Sequence, residues 1–383
     1  MEEFQEKLIR PQMPELYSLR GVAILLVLFF HGFGFLFFTA PLPRLAHIFV
    51  VATAGGWMGV NLFFVLSGFL ITGILIDSRS KPEYYRKFYM RRALRILPAY
   101  YALLLLLLVL PKTGWLGERQ IGWQFVGLSG IYLANVTNLF GVAMRYGALW
   151  SLAVEEHFYF VWPVVVRSLS RRAVAWCALA MVLICPALRA VAYLRGYEYG
   201  AGYTWLVADG LAMGALLGLF SRGWLADRRR MKQAAIVCMT AGVAMLAFGA
   251  PFGILLGRTF LGGTLRPTAL NLFFAGALGA TLIVGTSPLK WMVRRPALQF
   301  FGGISYGLYL IQMLAFDFAD HLLGPATVVR SSFVLICLRF AIAGSIATGI
   351  AVLSRKYFEE WFLRFKGRLS APADRPRALR AAA

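Results

Sequence analysis

Long apolar stretches alternate with short basic segments along most of this 383-residue chain. A helix needs about 20 mostly apolar residues to cross the hydrocarbon core of a bilayer, which is ~30 Å thick. The stretches approach this length repeatedly, so the pattern predicts an all-α bundle of about ten transmembrane helices. The predicted spans are 20–39, 58–76, 95–110, 148–166, 173–192, 204–220, 233–250, 267–285, 299–317 and 332–353.

Composition supports a membrane protein and explains its charge. Hydrophobic residues make up 60% of the chain and charged residues only 15%, whereas a soluble domain carries about 25% charged residues. The formal net charge is +22. Most lysines and arginines fall in segments on the same side as both chain ends, as the positive-inside rule describes for cytoplasmic loops. The charge therefore predicts cytoplasmic termini and attraction to anionic membrane lipids, and no nucleic-acid partner.

One membrane domain is expected over residues 1–365. Its first apolar run is longer than a signal-peptide core and lacks a convincing cleavage site, so we interpret it as an uncleaved span. Residues 366–383 form a basic cytoplasmic tail, which is predicted to be disordered because it has prolines and no apolar face. Residues 123–140 are moderately apolar, and the charge rule places them as an outer loop or a re-entrant element. The four cysteines and four histidines show no metal-ligand spacing, so no metal site is predicted.

Arg20 and His31 form the first candidate pair, in the stretch LRGVAILLVLFFH at residues 19–31. On a helix their side chains share one face and lie roughly 16 Å apart along the axis. A histidine inside a span is costly unless it faces protein or water, and it is therefore a candidate functional residue. A neutral imidazole can remove a proton from a hydroxyl, which makes His31 a candidate general base. The alternative is a histidine that only packs between helices.

Two adjacent carboxylates, Glu155 and Glu156, interrupt the apolar stretch ALWSLAVEEHFYFVWP at residues 148–163. Counting the helical rise places Glu155 roughly 10 Å and His31 roughly 13 Å below the outer membrane edge. A carboxylate that accepts a bond from an imidazole fixes its tautomer and raises its basicity, so Glu155 is the predicted partner of His31. Glu156 is the second choice, because adjacent residues diverge by about 100° around a helix. Pairing with an arginine for packing alone is the alternative.

Arg92 and Arg95 lie three residues apart on one helix face, in FYMRRALRILPAYY at residues 88–101. The planar guanidinium binds phosphate oxygens in pairs, so these arginines predict a polyphosphate site at the inner end of the third span. An ordinary topology signal is the alternative.

Three further polar residues lie in predicted spans and have two interpretations each. Asp209 either forms an ion pair or contacts substrate. Ser305 and Tyr306 supply hydroxyl hydrogen bonds, either to substrate or to neighbouring helices. The sequence leaves both alternatives open.

Together these stretches resemble the acyltransferase-3 family, the integral-membrane O-acyltransferases of bacterial surface polysaccharides, exopolysaccharides and some antibiotics. The similarity covers roughly residues 14 to 365. The matching pieces run in the family's order and are ELYSLRGVAILLVLFFH, GVNLFFVLSGFLIT, FYMRRALRILPAYY, LWSLAVEEHFYFVWP, DGLAMGALLG and FGGISYGLYL.

The resemblance implies an Arg-x10-His motif at Arg20 and His31, and an Arg-x-x-Arg motif at Arg92 and Arg95 near the entry of the donor. It also implies a functional glutamate, placed at Glu155. The donor in this family is typically acetyl-coenzyme A or another short acyl thioester. The resemblance thus implies an acyl-CoA co-substrate, with no tightly bound cofactor.

The chain departs from the family pattern at three places. His157 stands where the family usually has glutamine after the paired glutamates. Gln312 stands where a histidine is common, and the C-terminal Glu-Arg-Pro-like signature reads Glu359-Glu360-Trp361.

The function predicted from the resemblance is a multi-pass O-acetyltransferase of the bacterial cytoplasmic (inner) membrane. It would transfer an acetyl or other short acyl group from acyl-CoA to a hydroxyl of a carbohydrate or glycolipid-linked acceptor, such as an exopolysaccharide, an O-antigen or a glycoside. A proton-coupled transporter is the competing hypothesis, because intramembrane Arg, His, Glu and Asp also suit a proton relay. The sequence shows neither an internal repeat nor paired broken helices, which disfavours the transporter. A non-catalytic, lipid-binding scaffold is the third hypothesis.

Overall fold

The computed structural model describes residues 8–34, 44–113, 121–196, 202–324 and 332–369. Every regular element in these ranges is helical. The α-helices are α1 (Pro14–Gly32), α2 (Arg44–Ala54), α3 (Gly59–Ser78), α4 (Tyr84–Val109), α5 (Trp123–Gly130), α6 (Ala148–Ser168), α7 (Arg171–Leu194), α8 (Thr204–Val207), α9 (Asp209–Phe220), α10 (Arg228–Gly249), α11 (Phe260–Thr264), α12 (Arg266–Gly285), α13 (Lys290–Val293), α14 (Pro296–Leu323), α15 (Phe333–Leu353) and α16 (Glu360–Leu369).

Eight helical stretches in the described ranges are long and apolar enough to cross a membrane, and they contain α1, α3, α4, α7, α10, α12, α14 and α15. The prediction of an all-α, multi-pass bundle is confirmed. Two of the ten predicted spans do not meet the same criteria. One is α6, whose glutamates and histidine lower its hydropathy. The other is α9, which has only 12 residues. The cytoplasmic placement of the termini stays a prediction.

The first helix is displaced from its predicted span of 20–39. It begins at Pro14, because proline has a fixed φ that suits the first turn of a helix and needs no partner for its missing N–H. It ends at Gly32, so His31 lies in its last turn and not near its middle. The predicted residues 35–39 lie outside the described ranges.

Residues 123–140 form α5 and a 3₁₀ helix, Ala134–Phe140, neither of which is long enough to cross a bilayer. The end of α5 is attached to α4, since the hydroxyl of Tyr100 donates to the Ser129 carbonyl at 2.7 Å. This agrees with the placement of the segment as a loop or re-entrant element. The predicted tail covers residues 366–383, but residues 366–369 form the end of α16, so the predicted boundary at residue 365 falls inside a helix. Residues 370–383 lie outside the described ranges.

Glycines allow the central helices to approach backbone to backbone. A Cβ on Gly21 of α1 would collide with the Leu298 carbonyl of α14, and a Cβ on Gly302 of α14 would collide with the Tyr17 carbonyl of α1. The same holds for α3 and α9, where Gly68 faces the Leu211 carbonyl. Small residues at helix contacts are a general device for close packing in membranes. The contact of α1 with α14 is the most extensive in the described structure, and it brings Arg20 to Ser305.

Replacing Gly21 with alanine is expected to destabilise the bundle by about 1–3 kcal/mol or more, because the rigid backbone of α14 blocks the added methyl group. The measurement is the thermal unfolding midpoint of the purified protein in detergent. Gly303→Ala is the matched control, since a Cβ there meets no atom within 4 Å and alanine favours the helix. Equal midpoints for the two variants would contradict this packing.

Candidate active site

A cavity of about 110 Å³ lies among α1, α3, α4, α6 and α14, and we call it the Arg20 cavity. Seven of the predicted site residues line it, namely Arg20, Arg92, Arg95, Glu155, Glu156, Ser305 and Tyr306. The sequence motifs from five separate stretches therefore meet at one place.

Arg20 is held by its contact with α14. Its Nη2 donates a hydrogen bond to Ser305 Oγ at 3.0 Å. Ser305 Oγ in turn donates to the Gly302 carbonyl at 2.9 Å. Tyr306 donates its hydroxyl to the Ile96 carbonyl at 2.8 Å, which ties α14 to α4. The Ser305 hydroxyl thus bonds to α1 and within α14, and the Tyr306 hydroxyl bonds to α4. Both side chains also line the Arg20 cavity.

Arg92 and Arg95 bring two further positive charges from α4. The guanidinium of Arg92 lies over the Tyr159 ring, 5.0 Å from its centroid. The charge of Arg95 is repelled by those of Arg20 and Arg92. Neither Arg92 nor Arg95 forms an ion pair with a carboxylate of the described residues. Three guanidinium groups facing one small cavity suit an anion with several oxygens, such as a diphosphate.

Glu155 belongs to this arginine cluster and not to His31. Its Oε1 accepts a hydrogen bond from Ser67 Oγ at 2.8 Å, and its Oε2 accepts one from the Tyr159 hydroxyl at 3.1 Å. Its negative charge attracts Arg20 and Arg92. The predicted pairing of Glu155 with His31 is therefore wrong for this structure. The helical count gave similar depths for the two residues, but α1 ends at Gly32 and the two carboxylate oxygens accept hydrogen bonds from Ser67 and Tyr159.

Glu156 has a different environment from its neighbour. It lines the Arg20 cavity and makes no hydrogen bond or ion pair with the part of the chain that the structure describes. Its charge acts on the buried hydroxyl groups of Tyr132 and Tyr306.

His31 lies in a second and larger cavity of about 680 Å³, which we call the His31 cavity. Its walls come from one end of the bundle: the last turns of α1 and α7 and the first turns of α3, α6, α9 and α12. The aromatic residues of this wall include Trp57, Trp150, Tyr203 and Trp205. Gln312 lies beside the imidazole, yet His31 Nδ1 and Gln312 Oε1 are buried and make no well-formed hydrogen bond in the described structure.

Asp209 lines the His31 cavity as part of a buried ion pair. Arg189 of α7 donates to both of its oxygens, at 3.2 and 3.0 Å, and Thr268 Oγ1 donates to Oδ2 at 2.7 Å. Arg189 also donates to the backbone carbonyls of Thr264 and Leu206. Of the two alternatives for Asp209, the ion pair is the one present. The sequence analysis missed Arg189, although an arginine inside an apolar run is itself a signal of a buried polar contact.

Comparison with known proteins decides the family. The sequence profile described as "Acyltransferase domain" matches residues 14–353. This chain belongs to the acyltransferase family. The acyltransferase domain contains α1 through α15 and every predicted site residue from Arg20 to Tyr306. No solved structure matches the chain.

Several named proteins are similar to part of this chain. The chain is similar to the peptidoglycan O-acetyltransferase OatA of Listeria monocytogenes, at 30% identity over 40% of this chain and 24% of that protein. It is similar to the putative peptidoglycan O-acetyltransferase YrhL of Bacillus subtilis, at 30% identity over 35% and 24%. It is also similar to the O-acetyltransferase OatA of Staphylococcus aureus, at 29% identity over 44% and 27%. The aligned part is about a quarter of the length of each relative.

The two cavities of the acyltransferase domain lie back to back. They share three wall residues, Val60 and Phe64 of α3 and Tyr309 of α14. The Tyr309 hydroxyl and Ser151 Oγ are 2.6 Å apart, which fixes the tyrosine across the boundary. The arginine cluster and His31 therefore lie in adjacent cavities that meet at these three side chains.

Proposed function

We propose that this protein is a membrane O-acetyltransferase that moves an acetyl group from acetyl-CoA to a hydroxyl of a carbohydrate. One observation carries the proposal. A single helix, α1, presents an arginine to a cation-rich cavity and a histidine to a larger, aromatic-lined cavity directly beside it. Such an arrangement suits a reaction with one anionic substrate and one hydroxyl-bearing substrate.

The Arg20 cavity is proposed to hold the diphosphate end of the donor. Arg20, Arg92 and Arg95 would bind its oxygens by charge-assisted hydrogen bonds, and Glu155 would keep the cluster oriented through Ser67 and Tyr159. The ~13 bonds from diphosphate to sulfur reach roughly 15 Å when extended, at ~3.5 Å per three bonds. The helical rise from Arg20 to His31 is roughly 16 Å. A donor anchored at the arginines would thus present its thioester near His31.

The His31 cavity is proposed to hold the acceptor. Its volume of about 680 Å³ lies within the usual range of ~300–1,000 Å³ for small-molecule sites. In the proposed step, the imidazole takes the proton of an acceptor hydroxyl while the oxygen attacks the thioester carbon. The C–S bond breaks, the thiolate receives the proton from the imidazolium, and the ester and coenzyme A leave.

The relatives support both the acyl group and the acceptor class. The matched proteins are named as O-acetyltransferases, and two of the names specify peptidoglycan. A glycan acceptor and an acetyl donor are accordingly the first choice for this chain. Cytoplasmic termini would place the arginine cluster towards the compartment that contains acyl-CoA and His31 towards the opposite face.

The experiment that tests the proposal is transfer of labelled acetate. Membranes with this protein are incubated with acetyl-labelled acetyl-CoA and a glycan acceptor extract, and alkali-labile ester is measured by mass spectrometry as a gain of one acetyl unit. Membranes without the protein are the control. Ester above the control supports the proposal, and its absence with every glycan fraction of the host overturns it.

A further inference from the structure

The last turn of α1 is attached to α15 by a buried arginine. Arg339 is only 9% exposed. Its Nη1 donates a hydrogen bond of 3.1 Å to the carbonyl of Gly32, the last residue of α1. The final carbonyls of a helix have no partner within the helix, so this bond satisfies one of them and fixes where the helix end lies. Gly32 is the immediate neighbour of His31.

The guanidinium of Arg339 is itself held in one orientation. The carboxylate of Asp320 on α14 accepts two further hydrogen bonds from this guanidinium. Nε donates to Oδ1, and Nη2 donates to Oδ2 at 2.9 Å. The Phe316 ring lies beneath it, 4.7 Å from ring centroid to Cζ. A two-point pair with a carboxylate fixes the plane of a guanidinium, so the direction of the Nη1 donor is set by α14.

Aromatic packing closes the same junction from the other side. The Phe340 ring lies 4.9 Å from that of Phe29 and 4.5 Å from that of Phe33, measured between centroids. A Cβ on Gly32 would collide with Phe340. The end of α1 is thus held at a backbone carbonyl and at a tight apolar contact, both provided by α15.

The polar neighbours of the histidine beside this junction are the Val27 carbonyl of its own helix and the Gln312 side chain of α14. His31 Nδ1 is buried and makes no well-formed hydrogen bond within the described residues, and Glu155 belongs to the other cavity. The backbone of the last turn therefore sets where the ring lies relative to Gln312.

We propose that Arg339, oriented by Asp320, is a positioning residue that sets the place of His31 for acyl transfer. The inference rests on the proposed function, since it assigns Arg339 a role through His31. Arg339 is not expected to contact either substrate, because it lines neither cavity. Its role is to keep the imidazole within reach of the hydroxyl and the thioester.

The test compares Arg339→Gln with a variant of nearly identical chemistry elsewhere in the bundle. Arg222 makes the same three kinds of contact: its Nε and Nη2 donate to Asp77 at 2.7 Å each, and its Nη1 donates to the Gly218 carbonyl at 3.1 Å. It lines neither cavity. Arg222→Gln therefore reports what losing such an ion pair does to folding alone.

Arg339→Gln is expected to lower kcat about 10–100-fold while both KM values stay within twofold of wild type, because a displacement of ~1 Å can cost 10²-fold in rate. Arg222→Gln is expected to leave kcat within twofold, with a similar fall in thermal stability. A larger change in KM than in kcat for Arg339→Gln, or an equal loss of kcat in both variants, would overturn the positioning role.

Asp320→Asn covers the case in which Arg339→Gln does not fold. Asp320 is partly exposed, with 38% of its side chain accessible, so the amide is tolerated while the guanidinium loses its two-point partner. It is expected to lower kcat by the same mechanism at unchanged KM, and unchanged kcat would overturn the proposal. His31→Ala distinguishes failure of the proposed function from failure of the positioning role. If His31→Ala is fully active, the proposed function fails. If His31→Ala is inactive and Asp320→Asn is unaffected, only the positioning role fails.

Discussion

Replacing His31 with alanine is expected to lower kcat for ester formation by ~10²–10⁴-fold, the usual contribution of a general base. Alanine leaves a hydroxyl acceptor without a group to take its proton, while the residues proposed to bind the two substrates stay in place. KM for acetyl-CoA should stay close to wild type, since the arginine cluster lies in the other cavity. Initial rates with labelled acetyl-CoA in membranes of matched protein content provide the measurement.

His157→Gln is the control for this variant. His157 lies on α6, where its Nδ1 is 2.6 Å from Thr204 Oγ1, and it lines neither cavity. Glutamine can keep a hydrogen bond to the threonine, so the rate is expected to change less than threefold. A normal rate in His31→Ala would contradict the role of the imidazole, whatever the control shows.

Replacing both Arg92 and Arg95 with glutamine is expected to lower kcat/KM for acetyl-CoA by ~10²–10⁴-fold. A hydrogen bond to a charged group contributes about 1.5–3 kcal/mol, and each 1.4 kcal/mol is a factor of ten in affinity. The loss should appear mainly in KM for the donor, because the His31 cavity, where the acceptor is proposed to bind, is unchanged. Steady-state kinetics with varied acetyl-CoA at saturating acceptor measure this.

The same double variant is expected to have a thermal stability close to that of the wild type. The charges of Arg20 and Arg92 repel that of Arg95, so removal of Arg95 relieves a cost to folding, whereas removal of Arg92 loses its attraction to Glu155 and its contact with the Tyr159 ring. Acetyl-CoA should raise the unfolding midpoint of the wild type and leave that of the variant unchanged. Arg91→Gln is the control, since Arg91 is exposed and absent from both cavities. Strong destabilisation of the double variant would indicate a structural role for these arginines.

Sequence reasoning singled out seven residues that the structure places on the Arg20 cavity, and the reason is physical. A charge inside an apolar span is expensive, so it has to face protein or water and meet other polar groups there. Arg20, Glu155 and Ser305 came from three distant stretches, and the structure places all three on one cavity. The lengths of the apolar stretches predicted most of the helices for a related reason, because a helix that crosses a bilayer needs a long apolar segment.

The partners of individual groups were beyond reach from sequence. Helical counting gives the depth and face of a residue but not the rotation of the neighbouring helix, so Glu155 was assigned to His31 when its bonds go to Ser67 and Tyr159. The error also came from a helix that starts at Pro14 and ends at Gly32, which moved His31 to a helix end. The sequence shows no sign of a role for Arg339, because its partners, Asp320 and the Gly32 carbonyl, cannot be read from its own span.

The junction of the two cavities at Val60, Phe64 and Tyr309 bears on how a membrane keeps its proton gradient. A catalyst that takes one reactant from each face of a bilayer risks becoming a leak, through which protons would run down the gradient that drives ATP synthesis. Under the proposed function, these three side chains would limit such a leak, and the Tyr309 hydroxyl lies 2.6 Å from Ser151 Oγ. The acyl arm of the donor would pass between them during transfer and would itself fill the passage that it opens.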